Sequence, residues 1–215
     1  MKDQISKLRT QYQGELLDEN NVLPDPTEQF RKWFNEALSS NVLEPNAMTL
    51  ATATKEGLPS VRIVLLKDVD KSGFTFYTNY NSQKGKEINE NPHGSLLFFW
   101  PQLFRQIRIE GTIEQIDPAI SEKYFHERPF ESQVSAWISS QSSVVDSKEI
   151  LEKRYKEYEA ICDGKSVPYP TFWGGYCLKP NKFEFWQGQP NRLHDRVKYL
   201  LDTENDKWII KRIAP

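Results

Sequence analysis

Cysteine is nearly absent from this 215-residue chain, which carries only Cys162 and Cys177. They have no CxxC spacing and no histidine at metal-finger distance, so neither a disulfide framework nor a zinc site is implied, and both are read as inert thiols. An excess of charge of one sign is also missing, with 28 Lys+Arg against 30 Asp+Glu. That balance argues against nucleic acid or an anionic membrane as partner, while leaving room for a local basic pocket. No apolar run approaches the roughly 18 residues of a membrane span. The start Met1-Lys2-Asp3-Gln4-Ile5-Ser6-Lys7 lacks the apolar centre of a signal peptide, so a soluble, cytoplasmic protein is expected. Internal repeats, low-complexity stretches, a Ser-His-Asp arrangement, a designed carboxylate pair and a metal-ligand cluster are all lacking. Such a chain has little equipment for covalent or metal-assisted chemistry of its own.

Aromatic residues are what it has, 13% of the sequence with six tryptophans. Such residues serve as core, interface or stacking platforms. The length suits one sizeable core, so a single structural domain is expected. Residues 1–45 read as a polar, helical N-terminal segment, in which Phe30, Trp33, Phe34, Ala37 and Leu38 recur at helical spacing between Pro26 and Ser40. From residue 46 to 215 the pattern is mainly strand-like. Strands are predicted over 48–54, 61–67, 74–79, 95–100 and 105–116, with turn signals at Gly57, Gly73 and Gly111. A short helix over 82–89 and helices between 118 and 164, broken at Pro129 and around 139–146, interrupt them. The tail returns to strands over 173–178, 182–187, 193–201 and 208–213. This pattern predicts a mainly β or α+β fold, an antiparallel barrel or sandwich with flanking helices.

Several clusters could hold a flat, anionic molecule. In the block from Phe185 to Arg196, a strand would put Arg192, His194 and Arg196 on one face near Trp186, because side chains alternate with period two. Arg62 and Lys67 bound an apolar strand, Ile63-Val64-Leu65-Leu66, and their offset places them on opposite faces; ordinary charged strand ends would look the same. Tyr77-Thr78-Asn79-Tyr80-Asn81-Ser82-Gln83-Lys84 runs from a strand into a helix start, with Asn81 or Ser82 as N-cap. A lysine there adds to the free N–H groups of an anion site, without the glycines of a dinucleotide loop. Tyr124, Arg128 and Ser132 recur every four residues and together suit a phosphate dianion, or form an exposed helix end. Gln141-Ser142-Ser143 lies in a polar break. His93 and His126 read as surface residues. The recurring equipment is Arg, Lys, Tyr and Trp, suited to holding phosphorylated rings while a cofactor does the chemistry.

Over nearly its whole length the chain resembles the pyridoxamine 5′-phosphate oxidase family. The resemblance rests on Arg62 to Lys67, Phe76-Tyr77-Thr78-Asn79, Ser95-Leu96-Leu97-Phe98, Tyr124-Phe125-His126 with Arg128-Pro129, Phe172-Trp173-Gly174-Gly175 and the block from Phe185 to Arg196. It implies an FMN-binding split β-barrel of antiparallel Greek-key type with flanking helices. It also implies a homodimer with FMN at the subunit interface and a C-terminal dimerisation region over about 170–215. The implied activity is a pyridoxal 5′-phosphate synthase: oxidation of pyridoxine or pyridoxamine 5′-phosphate by O2, releasing H2O2 and, from the amine, NH3. By resemblance, Arg62 and Lys84 hold the FMN phosphate, and Ile63, Val64, Leu65, Leu66 and Lys67 lie along the flavin. Tyr77, Thr78, Gln106, Gln141, Ser142, Trp186 and Arg196 add contacts, some from the partner subunit. Lys67, Tyr124, Arg128 and Ser132 match the substrate-phosphate grip; Arg192, Leu193 and His194 match the pyridine side, with Arg192 and His194 in catalytic positions. Arg9 and Tyr12 resemble an N-terminal lid. One departure stands out: the family commonly has Arg-Lys where this chain has Gln83-Lys84, so Gln83 is a neutral and weaker phosphate donor. Two rival readings are a split-barrel flavin reductase or flavin-binding protein without this substrate, and a nucleic-acid-binding barrel, which the near-neutral charge disfavours.

Overall fold

Caps and turn residues cut the chain where its periodicity changes. A computed structural model of the chain describes residues 2–8, 10–162 and 164–215. In chain order the elements are α1 (Lys2–Ile5), α2 (Pro26–Ser39), β1 (Ala47–Ala53), β2 (Pro59–Leu65), β3 (Asp68–Asp70), β4 (Gly73–Asn79), α3 (Gln83–Glu90), β5 (His93–Trp100) and β6 (Arg105–Gln115). They continue with α4 (Pro118–Glu127), α5 (Phe130–Ile138), α6 (Lys148–Cys162), β7 (Trp173–Gln187), β8 (Asp195–Asp202) and β9 (Lys207–Arg212). One sheet holds the strands in the order β2-β1-β5-β6-β7-β4-β3, with β8 on β7 and β9 on β8. The β1–β5 and β4–β7 neighbours require crossovers, so the sheet is not a simple meander.

The chain divides into two compact units. The first comprises Met1–Thr49, Ser95–Glu110 and Pro180–Pro215, the second Leu50–Gly94 and Gly111–Lys179. The division therefore cuts through β1, β5, β6 and β7.

In the first unit, Asp25 caps α2 by accepting from the Thr27 N–H, and Pro26 supplies a first helical residue that needs no donor. Phe30, Trp33 and Ala37 are buried on one stripe of the helix. Phe30 packs 5.0 Å from the Phe98 ring and Trp33 stands edge-on to Phe185 at 5.3 Å. Each such aromatic contributes roughly 1.5–3 kcal/mol by leaving water. β8 pairs antiparallel with β9 from Val197↔Arg212 to Asp202↔Lys207, closed by a turn over 203–206.

In the second unit, Ser82 is the N-cap of α3, its Oγ accepting from the Gly85 N–H at 3.3 Å. The helix ends before Pro92, which holds Asn91 in an extended conformation. β4 pairs with the start of β7 from Phe74↔Leu178 to Asn79↔Trp173. Phe125, Val134, Cys162, Val167 and Trp173 form a buried cluster. Both cysteines are reduced and buried, and burial pushes the Cys177 thiol up.

Two predicted elements change. The strands expected over 173–178 and 182–187 are one continuous strand, β7. Its β4 ladder ends at Leu178 and its β8 ladder begins at Lys182, so Pro180, which has no N–H, falls between two registers and breaks neither. The strand expected from Leu193 begins only at Asp195. Pro190–Arg192 form a tight 3-10 turn instead, with Asn191 and Arg192 at φ 56° and 62°. The expected common face of Arg192, His194 and Arg196 is thereby lost, because the period-two rule applies only within a strand.

Candidate active site

The second unit contains a cavity of about 770 Å³. Its wall includes Arg62, Ile63, Val64, Leu65 and Lys67 from β2 and the residues after it, Tyr77 and Thr78 from β4, and Lys84 from α3. Tyr124, Arg128 and Ser132 around the α4–α5 junction, and Gln141 and Ser142 from the following loop, complete the predicted set found there. Arg62 and Lys67 line the same cavity. Strand alternation stops at Leu65, so the opposite faces expected for them do not arise. Leu66 is buried and is not part of this wall.

Lys84 is only 7% exposed. Its Nζ donates to Thr78 Oγ1 at 3.3 Å, Ser82 Oγ at 3.4 Å and Gln141 Oε1 at 3.1 Å, all neutral oxygens. Burial and then the neighbouring Arg62 charge lower its pKa, with Glu87 opposing. An ammonium in the first turn of a helix also meets the positive end of the dipole. Three unfavourable terms on one cation mark a place prepared for an anion.

Arg62 is bound more fully. Its Nη1 donates to the Leu50 carbonyl at 3.3 Å and to Thr52, and its Nη2 donates to Ser60 and, at 3.3 Å, to Glu87. Burial alone would raise Glu87, but hydrogen bonds from Ser60, Thr52 and Gln83 and the Arg62 charge hold its pKa down to about 2. Gln83 is the donor at 2.9 Å to Glu87 Oε1. Its amide is thus turned to a carboxylate, and it lines a neighbouring polar cavity of about 590 Å³ in the same unit instead of the first one.

Arg128 carries the clearest signal. It is the extended C-cap of α4, outside the helix, so it reaches the cavity from a bend and not from a face shared with Tyr124. The Gln133 side chain pins its carbonyl at 2.7 Å. Its guanidinium lies 4.5 Å above the Trp173 ring, and its buried Nη1 has no partner among the described residues. Burial lowers its pKa. Beside it the rings of Tyr77 and Tyr124 stack at 4.0 Å and those of Tyr77 and Trp173 at 5.4 Å. Burial, then the nearby Tyr124, raises the Tyr77 phenol to about 12. Trp173 belongs to the Phe172-Trp173-Gly174-Gly175 motif but is not among the predicted site residues. A Cβ on Gly174 would meet Tyr80 Oη at 2.1 Å and one on Gly175 would meet the Tyr77 ring at 2.9 Å, so only glycine lets these tyrosines close on the strand.

The remaining predicted residues belong to the first unit. Tyr12 stands edge-on to Phe104, Trp186 and His194 at 5.4, 5.5 and 5.5 Å. Trp186 is 4.8 Å from His194. Arg196 donates to Glu184 Oε1 through Nε at 2.9 Å and Nη2 at 2.7 Å, and to the Ala214 carbonyl at 2.7 Å. Gln106 is half-buried, whereas Arg192 and Leu193 are exposed. Arg9 lies outside the described residues.

Residues 34–162 match the family model described as pyridoxamine 5′-phosphate oxidase. The chain belongs to the pyridoxamine 5′-phosphate oxidase family. Residues 173–215 match that family's C-terminal dimerisation region, which here spans β7, β8 and β9. A pyridoxine/pyridoxamine 5′-phosphate oxidase of Gloeothece citriformis is 49% identical over 215 residues, covering all of both chains. One from Salinibacter ruber is 49% identical over 98% of this chain and 99% of its own. The crystal structure of PhzG from Burkholderia lata, in complex with tetrahydrophenazine-1-carboxylic acid, superposes with a TM-score of 0.88 at 29% identity, covering 94% of this chain and 99% of that one. The fold is the α+β split barrel of pyridoxamine 5′-phosphate oxidase relatives, an antiparallel sheet with flanking helices, as the motifs implied. Among the described residues no helix is long and apolar enough to cross a membrane.

Proposed function

We propose that this chain oxidises pyridoxine 5′-phosphate and pyridoxamine 5′-phosphate to pyridoxal 5′-phosphate, using FMN and O2. The observation that carries the reading is the pair of poorly partnered cations in one cavity. Lys84 meets only neutral oxygens, and Arg128 has a buried N–H group without a partner. Two phosphates, one on the cofactor and one on the substrate, supply what both lack. Arg62 and Lys84 would hold the FMN phosphate, with Ile63, Val64, Leu65, Tyr77, Thr78, Gln141 and Ser142 beside the flavin. Lys67, Tyr124, Arg128 and Ser132 would grip the substrate phosphate, while Arg192 and His194 orient the substrate ring.

When bound, FMN would supply the redox chemistry, a two-electron oxidation at the substrate C4′ carbon with O2 as the final electron acceptor. The protein's part is binding and orientation. Fixed cations neutralise the phosphates, and the Tyr77, Tyr124 and Trp173 stack stiffens the wall that carries Arg128. Gln83 contributes to this scheme indirectly, by donating to Glu87, the ion-pair partner of Arg62. The match to a dimerisation region supports a homodimer, with Gln106, Trp186 and Arg196 as further cofactor contacts. As a cytoplasmic enzyme it would use Arg9 and Tyr12 as a lid.

The test is to purify the protein, record its visible spectrum and follow peroxide and ammonia with each vitamer phosphate. A bound-flavin spectrum and O2 uptake with both substrates are expected, with ammonia only from the amine. A flavin spectrum without O2 uptake would favour a flavin reductase or carrier. Arg192→Ala should lower turnover far more than flavin content; equal losses would remove Arg192 from the substrate side.

A further inference from the structure

His194 closes the tight turn that joins β7 to β8, and its ring is fixed from three directions. Trp186 lies 4.8 Å away, Tyr12 stands edge-on at 5.5 Å, and the Gln189 backbone N–H donates to Nδ1 at 3.1 Å. A backbone N–H can only donate, so the Nδ1 that receives it carries no proton. The ring is then the neutral tautomer with its proton on Nε2.

The turn holds the donating amide in place. Leu193 N–H donates to the Pro190 carbonyl at 3.1 Å, and Asn191 and Arg192 both adopt positive φ, a left-handed conformation that asparagine tolerates in turns but that is uncommon for arginine. The Gln189 side chain is tied as well, donating to the Glu15 carbonyl at 2.7 Å and to Asp195 Oδ2 at 2.8 Å. Asp195 in turn accepts from Arg212 at 2.7 Å and from the Leu17 N–H at 3.3 Å. An anchored amide facing Nδ1 is a tautomer lock.

We infer that His194 serves its ligand as an Nε2–H hydrogen-bond donor and not as a base, and that the Gln189 backbone amide is the positioning group which fixes this tautomer. The ligand's identity rests on the oxidase reading, in which an acceptor oxygen of the bound vitamer phosphate receives the Nε2–H. Oxidation at C4′ removes a proton as well as a hydride. With Nδ1 occupied and Nε2 already protonated, His194 does not take that proton, which leaves to water.

Nitrogen-15 NMR of histidine-labelled holoenzyme tests the tautomer directly, because the chain has only three histidines and His194→Gln assigns the resonance. An unprotonated Nδ1 and a protonated Nε2 are expected; a proton on Nδ1 overturns the inference. Turnover provides the second measurement. His194→Gln keeps an N–H donor and should retain activity within about tenfold of wild type, with the shape of the pH–rate profile preserved, whereas His194→Leu should lose roughly a further tenfold, the worth of about one hydrogen bond. Disappearance of one limb of the profile in both variants would make His194 a base. Absence of peroxide production by wild type would instead defeat the oxidase reading, while the NMR result would still decide the tautomer.

Discussion

The two units treat their cations in opposite ways. In the first, Arg105 is closed by Glu15 at 3.0 Å, by Glu36, by Gln187 at 2.9 Å and by the Trp33 face at 4.4 Å. Arg196 and Arg108 share the buried Glu184, each at 2.7 Å, and Arg212 is held by Glu19 and Asp195 at 2.6 and 2.7 Å. In the second unit, Lys84 and Arg128 have no carboxylate at ion-pair distance among the described residues. Cations of the first kind have their charge met within the protein, Arg196 among them although a cofactor contact is proposed for it. Those of the second kind weaken the empty fold through desolvation and are retained for a ligand. Arg62 stands between them, paired with Glu87 yet lining the cavity.

The sharpest break of this contrast comes from substituting one cation of each kind. Arg105→Ala should cost about 2–4 kcal/mol in urea unfolding, because several charge-assisted hydrogen bonds and the packing on Trp33 disappear together. A loss below about 0.5 kcal/mol, the range of an ordinary surface change, would remove Arg105 from the scaffold. Lys84→Met and Arg128→Met should leave the apoprotein as stable or more so, since an apolar side chain removes a desolvated charge. Lys84→Met should weaken FMN binding by about 1.5–3 kcal/mol, roughly ten- to a hundredfold, and Arg128→Met should raise the KM for substrate by a similar factor with flavin content kept. Destabilised apoproteins would erase the distinction between the units.

Acid provides a smaller test within the second unit. Folding lowers Glu87 from its ordinary value of 4.5 to about 2, so the stability it contributes is complete above about 4.5 and is lost as the pH falls toward 2. In the first unit Asp195 is also lowered: burial opposes this, and Arg212, the Leu17 N–H and Gln189 outweigh it. Glu87→Gln should therefore flatten the fall in melting temperature between about pH 4.5 and pH 2; an unchanged slope would show that Glu87 does not carry it. The smallest effect is expected from Gln83→Ala. It removes one amide donor to the Glu87 carboxylate from an exposed side chain, worth about 1.5 kcal/mol, the low end for a bond to a charged group, and should barely change FMN affinity. A tenfold loss of FMN affinity would mean that Gln83 contacts the phosphate after all.

Much of this could be read from local pattern. Asp25 before Pro26 and Ser82 ahead of Lys84 locate two helix starts because capping depends on residues only two or three apart. The turn at 190–192 was legible in principle, since Gly188, Pro190 and Asn191 are turn formers, yet the alternate spacing of Arg192, His194 and Arg196 imitated a strand. Helical spacing similarly suggested a shared face for Tyr124 and Arg128. The structure brings them to one cavity wall through a bend at Arg128.

By itself the sequence determined the family, the order of elements and the chemical types gathered for phosphate binding, because motifs and caps are short-range properties of the chain. Tertiary structure alone decided which cations were neutralised and which were left open, that Gln83 turned to Glu87, and that Gln189 fixed one nitrogen of His194. These outcomes depend on partners brought together by folding: Arg105 meets Gln187, Lys84 meets Gln141, and Arg196 meets Glu184. The charge of a side chain is written in the sequence, but its partner and its exposure to water are properties of the packed chain.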